Sequence, residues 1–276
     1  MGFVPVADGV LVTTSRREST TTVLALGRRG GSGGVAALLV DPAWAADELV
    51  AIADEAAARG VRVAAGFATH AHHDHLLWHP RLGTHVPRWA TATTAATAGR
   101  ERSRLLAEVR ADGRRFGGPE CPPQVLDLVG RVTAMRSSRL PDPDDLLPAA
   151  EVVEHDGHAP GHGALWLPVA RVLVAGDMLS DVELPLPCDE ITGTADVGAY
   201  LAGLDRLAPF VGRADVLVPG HGTPTDRPTA RLDADRRYLD AVLAGRAVDD
   251  PRLARPGMAA EHARLERALA GGRADR

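Results

Sequence analysis

Apolar positions along the first forty residues fall into short runs rich in β-branched side chains. Val10 to Thr13, Thr20 to Leu26 and Val35 to Val40 read as strands. The glycine-rich stretch Arg28 to Gly34 joins the last two, which predicts a β-hairpin. The period then changes. Leu49, Ile52, Ala53 and Ala56 recur at helical spacing. Asp41 is the predicted N-cap, Pro42 the first helical residue and Gly60 the C-terminal stop. Val61 to Ala68 returns to strand.

Thr91 to Arg110 is alanine-rich and predicts a helix. Beyond it the chain is punctuated by Pro119, Pro122, Pro123, Pro141, Pro143 and Pro148, with room for a short helix over Gln124 to Met135. Residues 90–148 therefore read as a helical insertion over a scaffold, which could close over a substrate or be an inert surface elaboration. Strands resume at Glu151 to Glu154, Ala164 to Val169 and Val172 to Ala175. Asp196 caps a helix whose Val197, Leu201, Leu204 and Ala208 share a face, and Val216 to Val218 is a last strand. Residues 229–276 form an arginine-rich helical extension, expected at the surface. Strands, a helix and strands again predict one layered α/β domain over residues 1–276.

Composition narrows the function. The 276 residues carry a net charge of −5 and 4% aromatics, which argues against a nucleic-acid binder. No apolar run approaches the ~20 residues of a membrane span, and no signal peptide is evident at the start, so a cytoplasmic protein is expected. Cys121 and Cys188 make no disulfide framework. Every basic residue is arginine, which removes lysine-based covalent chemistry, and neither a G-x-S-x-G elbow nor a phosphate-binding P-loop is present.

Histidine, with 11 copies, carries the chemistry. Thr69-His70-Ala71-His72-His73-Asp74-His75 follows a predicted strand. His70 and His72 project to one side of an extended chain, and Asp74 and His75 follow at once. Imidazole and carboxylate at this density suit zinc. Three further donors end strands beside glycine: His162 in Pro160-Gly161-His162-Gly163, Asp177 in Gly176-Asp177, and His221 in Pro219-Gly220-His221-Gly222. Glycine lets the backbone approach a metal closely.

This ordered set, H-x-H-x-D-H followed by Gly-His, Gly-Asp and Pro-Gly-His, resembles the metallo-β-lactamase superfamily over roughly residues 10 to 225. The resemblance implies an αββα sandwich with metals at one edge of the sheets. It implies that His70, His72 and His162 hold one ion, that Asp74, His75 and His221 hold a second, and that Asp177 bridges them. Two zinc ions are implied, with iron or manganese as alternatives. The implied activity is hydrolysis of an ester, lactone or thioester of a small molecule by a metal-bridging hydroxide, with Asp74 also relaying the proton. Alternatives on the same ligands are an iron-dependent, persulfide-dioxygenase-like oxidoreductase, a phosphodiesterase, a β-lactam hydrolase, and a non-catalytic member that keeps the site for stability.

Departures from individual branches are informative. Secreted β-lactamases of the superfamily lack the bridging aspartate present here as Asp177. Glutathione-dependent members carry Gly-Cys-Gly-Arg soon after it, where this chain has Met178-Leu179-Ser180-Asp181-Val182-Glu183. Homoserine lactonases place a tyrosine where Ser180 stands. Leu76-Leu77-Trp78 replaces the usual two glycines and suggests an apolar pocket rim. His158, Ser180 and Tyr200 are the candidate supporting or substrate-contacting residues. Arg100, Arg102, Arg104, Arg114 and Arg115 could meet an anionic group, although such a run commonly forms a solvated helix face.

Overall fold

The computed structural model describes residues 2–30, 34–116, 120–188 and 195–274, with side chains as far as residue 270. Two sheets form its centre. The first runs in chain order: β1 (Val4–Ala7), β2 (Val10–Thr14), β3 (Thr21–Arg29), β4 (Val35–Val40), β5 (Val61–Phe67), β6 (Arg88–Ala90) and β7 (Thr133–Ala134). Pairing is antiparallel from β1 to β4 and parallel from β4 to β7. The second sheet is ordered β11–β10–β9–β8, from β8 (Glu151–His155), β9 (His162–Leu167), β10 (Val172–Gly176) and β11 (Val216–Pro219).

The period-two rule explains the layers. Val23, Ala25, Leu38 and Val40 face the other sheet and meet Leu165, Leu167, Val174 and Val218. Leu24, Ala37 and Leu39, one step out of phase, meet Ile52 and Ala53 of α1 (Ala46–Ala58). Both faces of β3 and β4 are thus covered, so these strands read as continuous apolar runs. Trp166, Leu173 and Leu217 turn outward from the second sheet. They pack on α5 (Val197–Val211), α6 (Pro228–Leu243) and α7 (Met258–Ala274) through Leu204, Leu207, Leu239 and Leu265. The four layers are the predicted αββα sandwich.

Several expectations need correction. The C-terminal helices are not merely surface: Leu232, Tyr238, Leu239, Val242 and Leu265 belong to the core. Residues 90–148 are woven into the scaffold, because β7 extends the first sheet. The predicted single helix at 91–110 is two, α2 (Ala92–Arg100), capped by the Thr91 side chain, and α3 (Arg102–Arg115). That at 124–135 shrinks to α4 (Pro123–Leu126). Leu76, Leu77 and Trp78 line no rim; all three are buried in the core. Asp41 does not cap α1, which starts five residues later from Ala45. Asp196 does cap α5, accepting from Ala199 N at 2.8 Å. The crest of the glycine-rich hairpin, 31–33, and Pro119 lie outside the described residues. No described helix is long and apolar enough to cross a membrane.

Candidate metal centre

All the donors sit where strands end along one edge of the sandwich. β5 runs out into Thr69 and the histidine motif, whose His73–His75 form a single 3-10 turn. β10 delivers Asp177 and β11 delivers His221. These are carboxyl ends of parallel strands, the usual place for a site in such sheets. Glycine is required at two of the junctions. A Cβ on Gly220 would overlap Asp177 Oδ1, and one on Gly176 would overlap the His162 ring.

The donors form two groups sharing one carboxylate. His70, His72, His158 and Asp177 gather in the first, and Asp74, His75 and His221 in the second. In the first, His72 Nδ1 lies 2.9 Å from His70 Nε2 and 3.3 Å from His158 Nε2. Asp177 Oδ2 is 3.3 Å from His70 Nε2 and 3.6 Å from His158 Nε2. In the second, Asp74 Oδ2 is 3.2 Å from both His75 Nε2 and His221 Nε2. Asp177 closes this group too, with Oδ1 3.2 Å from His75 Nε2 and Oδ2 3.3 Å from His221 Nε2.

These residues fit metal ions. Tetrahedral donors about 2.1 Å from one ion lie about 3.4 Å apart, close to every separation above. Imidazole lone pairs aimed at one another in a buried space repel unless a proton or a metal cation lies between them. Asp177 Oδ1 and His72 Nε2 are buried and have no hydrogen-bond partner among the described residues. A carboxylate oxygen left so is costly in a folded protein but suits coordination.

Neighbouring groups fix which nitrogen faces inward. His221 Nδ1 donates to Glu18 O at 2.9 Å and His70 Nδ1 is 2.9 Å from Thr69 Oγ1, while His75 Nδ1 faces Asp41 Oδ2 at 3.1 Å as a charge contact without hydrogen-bond geometry. Each leaves Nε2 for the cluster, the outer-partner arrangement metal-bound histidines require. Asp41 also accepts from Thr69 N at 2.9 Å and Thr69 Oγ1 at 2.7 Å, so it buttresses the motif rather than a helix. Without metal, burial lowers the His70 and His72 imidazoles, His72 to about 4. Burial also opposes charge on His75 and His221. At His75 it is outweighed by Asp177, Asp74 and Asp41, and at His221 by Glu183 and Asp177, so both stand well above the usual range. The Asp74 and Asp177 carboxyls are pulled far below theirs against burial, chiefly by His75.

His162 stands one shell back. Its Nδ1 is 3.2 Å from His155 Nε2, and its Nε2 accepts from Asp177 N at 3.3 Å. His158, expected as a support, stands in the donor position expected of His162. Ser180 is a loop-former: Oγ donates to His221 O at 2.7 Å and accepts from Val182 N and Glu183 N, each at 3.0 Å. Tyr200 is buried in the same core cluster as Met178 and Leu179. Of the arginines singled out, Arg100 and Arg104 pair with Glu101 and Glu108, and Arg102 donates to Leu126 O and Asp127 O. No motif flagged Glu183. It groups with Asp177 and His221, and burial in this acidic surrounding raises its carboxyl to about 7.

Comparison with known proteins places this geometry. No protein-family model and no curated protein matches the chain. Solved structures do. A β-lactamase domain protein from Burkholderia ambifaria is 19% identical, with 98% of this chain and 88% of that one covered at a TM-score of 0.62. The chain has the metallo-β-lactamase fold. A metallo-β-lactamase family protein from Thermus thermophilus is 21% identical over 97% of this chain and 95% of its own, at a TM-score of 0.59. A third neighbour, solved in a di-iron-bound form, is 22% identical over 80% of this chain and 97% of its own, at a TM-score of 0.53. Within this metallo-β-lactamase fold, the cluster lies where the resemblance led the metals to be expected.

Proposed function

We propose that the protein is a zinc-dependent hydrolase of a small-molecule ester, lactone or thioester. The observation that carries this reading is Asp177, one carboxylate within 3.2 to 3.6 Å of donors in both groups. His70, His72 and His158 would hold one ion and Asp74, His75 and His221 the other. Two such ions supply Lewis-acid polarisation of a carbonyl and hydroxide at neutral pH. Asp74 is buried with Oδ2 turned to the imidazoles, and its carboxylate would relay, not retain, the proton released on attack. Trp44 excludes water beside the cluster, its ring meeting those of His73 at 5.5 Å and His221 at 6.4 Å. Asp112 of α3 accepts from Trp44 Nε1 at 3.1 Å and contacts His73, so we assign this helix the cover.

The test is a rate panel on zinc-loaded protein with acyl esters, lactones, thioesters, a β-lactam and an activated phosphodiester. Asp74→Asn is expected to lower turnover by about 10²-fold or more. Turnover of the phosphodiester alone would move the assignment to phosphoryl transfer. Iron is the second reading, because the same donors suit it and one neighbour holds two irons. Metal content of the purified protein together with oxygen uptake decides between them: iron with oxygen consumption would replace the hydrolase.

Metal uptake should be strongly pH-dependent. His75 and His221 are raised in the metal-free protein and must lose protons to bind. Zinc affinity should therefore climb as pH rises above the ordinary histidine value of about 6.5, approaching tenfold per pH unit for each proton displaced. The stability sign is opposite without metal. Raised histidines stabilise the metal-free fold below about pH 6.5, and that contribution fades as pH rises through their folded values. Calorimetry in buffers of different protonation enthalpy measures the proton release, and its absence would contradict the ligand assignment.

A further inference from the structure

The proposed hydrolase needs a means of choosing substrate, and the strongest unassigned group near its donors is Arg17, which directly precedes Glu18, whose O meets His221 Nδ1 at 2.9 Å. Its side chain is buried, with 8% exposure. Only its main chain makes hydrogen bonds among the described residues: N donates to Ser15 Oγ, and O accepts from Thr20 N and Oγ1. The guanidinium lies 5.2 Å from the centroid of Phe116 and pairs with no carboxylate among the described residues. Arginine cannot shed its charge, so burying it without an anion is costly. The Phe116 ring offers the guanidinium a cation–π contact, and the guanidinium N–H donors make no hydrogen bond among the described residues.

The loop that carries Arg17 is locked in place. Ser15 Oγ and Arg16 N donate to Glu48 of α1 at 2.7 and 3.0 Å. Glu18 and Ser19 adopt left-handed backbone at φ 47° and 56°, a strained pair held by both neighbours. The turn aims Glu18 O at His221 Nδ1, 2.9 Å away, and Ser19 O at Gly222 N, also 2.9 Å away. The residue after Arg17 therefore orients a metal donor. Phe116 meets Trp44 edge-on at 5.8 Å, and Trp44 in turn meets His221. A second guanidinium, that of Arg115, lies 5.0 Å from the same Phe116 ring and is already paired with the Glu18 carboxylate at 3.8 Å.

We propose that Arg17 binds a carboxylate on the substrate, making the substrate class small acyl compounds that carry a free carboxylate remote from the scissile bond. This rests on the hydrolase reading for the reaction but not for the binding. The planar fork of arginine matches a carboxylate bidentately. Phosphate shares that chemistry and is the competing source.

The experiment titrates glutarate, its neutral diamide and inorganic phosphate into metal-free and zinc-loaded protein by calorimetry, with zinc stoichiometry measured alongside. The metal-free protein should bind glutarate about tenfold or more tightly than the diamide. Arg17→Gln should erase that preference and leave zinc stoichiometry unchanged, and Arg17→Lys should keep part of it. Phe116→Leu alters a residue already 36% exposed and should weaken glutarate binding several-fold even if the Arg17 variants fold poorly. Glutarate binding that appears only with zinc and ignores both substitutions would overturn the proposal. So would an Arg17-dependent preference for phosphate over glutarate. Loss of zinc from the unaltered protein would instead count against the metal centre, which separates the two readings.

Discussion

Replacing His158 with alanine will leave the protein with one tightly bound metal ion instead of two and reduce hydrolysis on the order of 10³-fold, the scale seen when one member of a catalytic unit is removed. His162→Gln will keep both ions and weaken their binding about 10–100-fold, as loss of an outer partner does. The contrast follows from position. His158 Nε2 lies 3.3 Å from His72 Nδ1 and 3.6 Å from Asp177 Oδ2. His162 Nε2 is instead engaged by Asp177 N, and its Nδ1 faces His155. The loop between them is firmly held: Gly161 O accepts from Thr91 Oγ1 and Thr94 Oγ1, and Gly161 N donates to Asp156. His158→Ala should thus change metal content without unfolding the loop. Metal analysis after gel filtration reads the outcome directly. Two ions retained by the His158 variant and one by the His162 variant would reverse the assignment.

The exchange of these two histidines shows where sequence reasoning ran short. Pro160-Gly161-His162-Gly163 has the same local form as Pro219-Gly220-His221-Gly222, and the latter does supply a donor. Local form could not separate them, because the deciding fact is strand register. His162 opens β9 opposite His155 and is committed to the ladder, while His158 rides the loop between the two strands. The glycine before each histidine also does different work. Gly161 sits at φ +73° against Thr91 and Thr93, whereas Gly220 makes room for Asp177.

The H-x-H-x-D-H motif was legible because its chemistry is compressed into six consecutive residues just past β5, although Asp74 and His75 reach the cluster from a 3-10 turn and not by strand alternation. Asp41 misled for the same local reason. Asp-Pro before a helical pattern has the form of a cap, but the nearest demand on its carboxylate comes from Thr69 and His75, far along the chain. Glu183 left no local trace, since its place depends on Ser180 Oγ folding the loop back under His221. The layers were readable from apolar periodicity, and the depth of the C-terminal helices was not. Arginine-rich composition masked the Leu232, Leu239 and Val242 stripe that packs on the second sheet.

Arg252→Met should destabilise the fold by about 3–5 kcal/mol, the cost of leaving one member of a buried ion pair uncompensated. At this chain length that is a fall in melting temperature of roughly 10 °C. Arg252 Nη1 donates to Asp235 Oδ1 at 2.6 Å and to Ser180 O and Glu183 O at 3.0 Å each, while Nη2 reaches Asp250 at 2.8 Å. Asp235 Oδ2 accepts from Leu179 N at 3.2 Å, so the pair ties α6 to the loop running from Asp177 to Glu183. Asp235 is almost wholly buried, and burial keeps its carboxyl above the ordinary range despite Arg252. Stripped of its partner, that carboxylate is the source of the loss. The double variant Arg252→Met with Asp235→Leu should recover most of the melting temperature, because an apolar pair of similar volume avoids the desolvation cost. It should not recover activity in step, since the anchors on Ser180 O, Glu183 O and Leu179 N are still gone. Thermal melting and turnover measured on both variants separate the two contributions. A single variant melting within about 1 kcal/mol of the parent would show that the clamp is dispensable for stability. Full activity in the double variant would show that it does not position the loop.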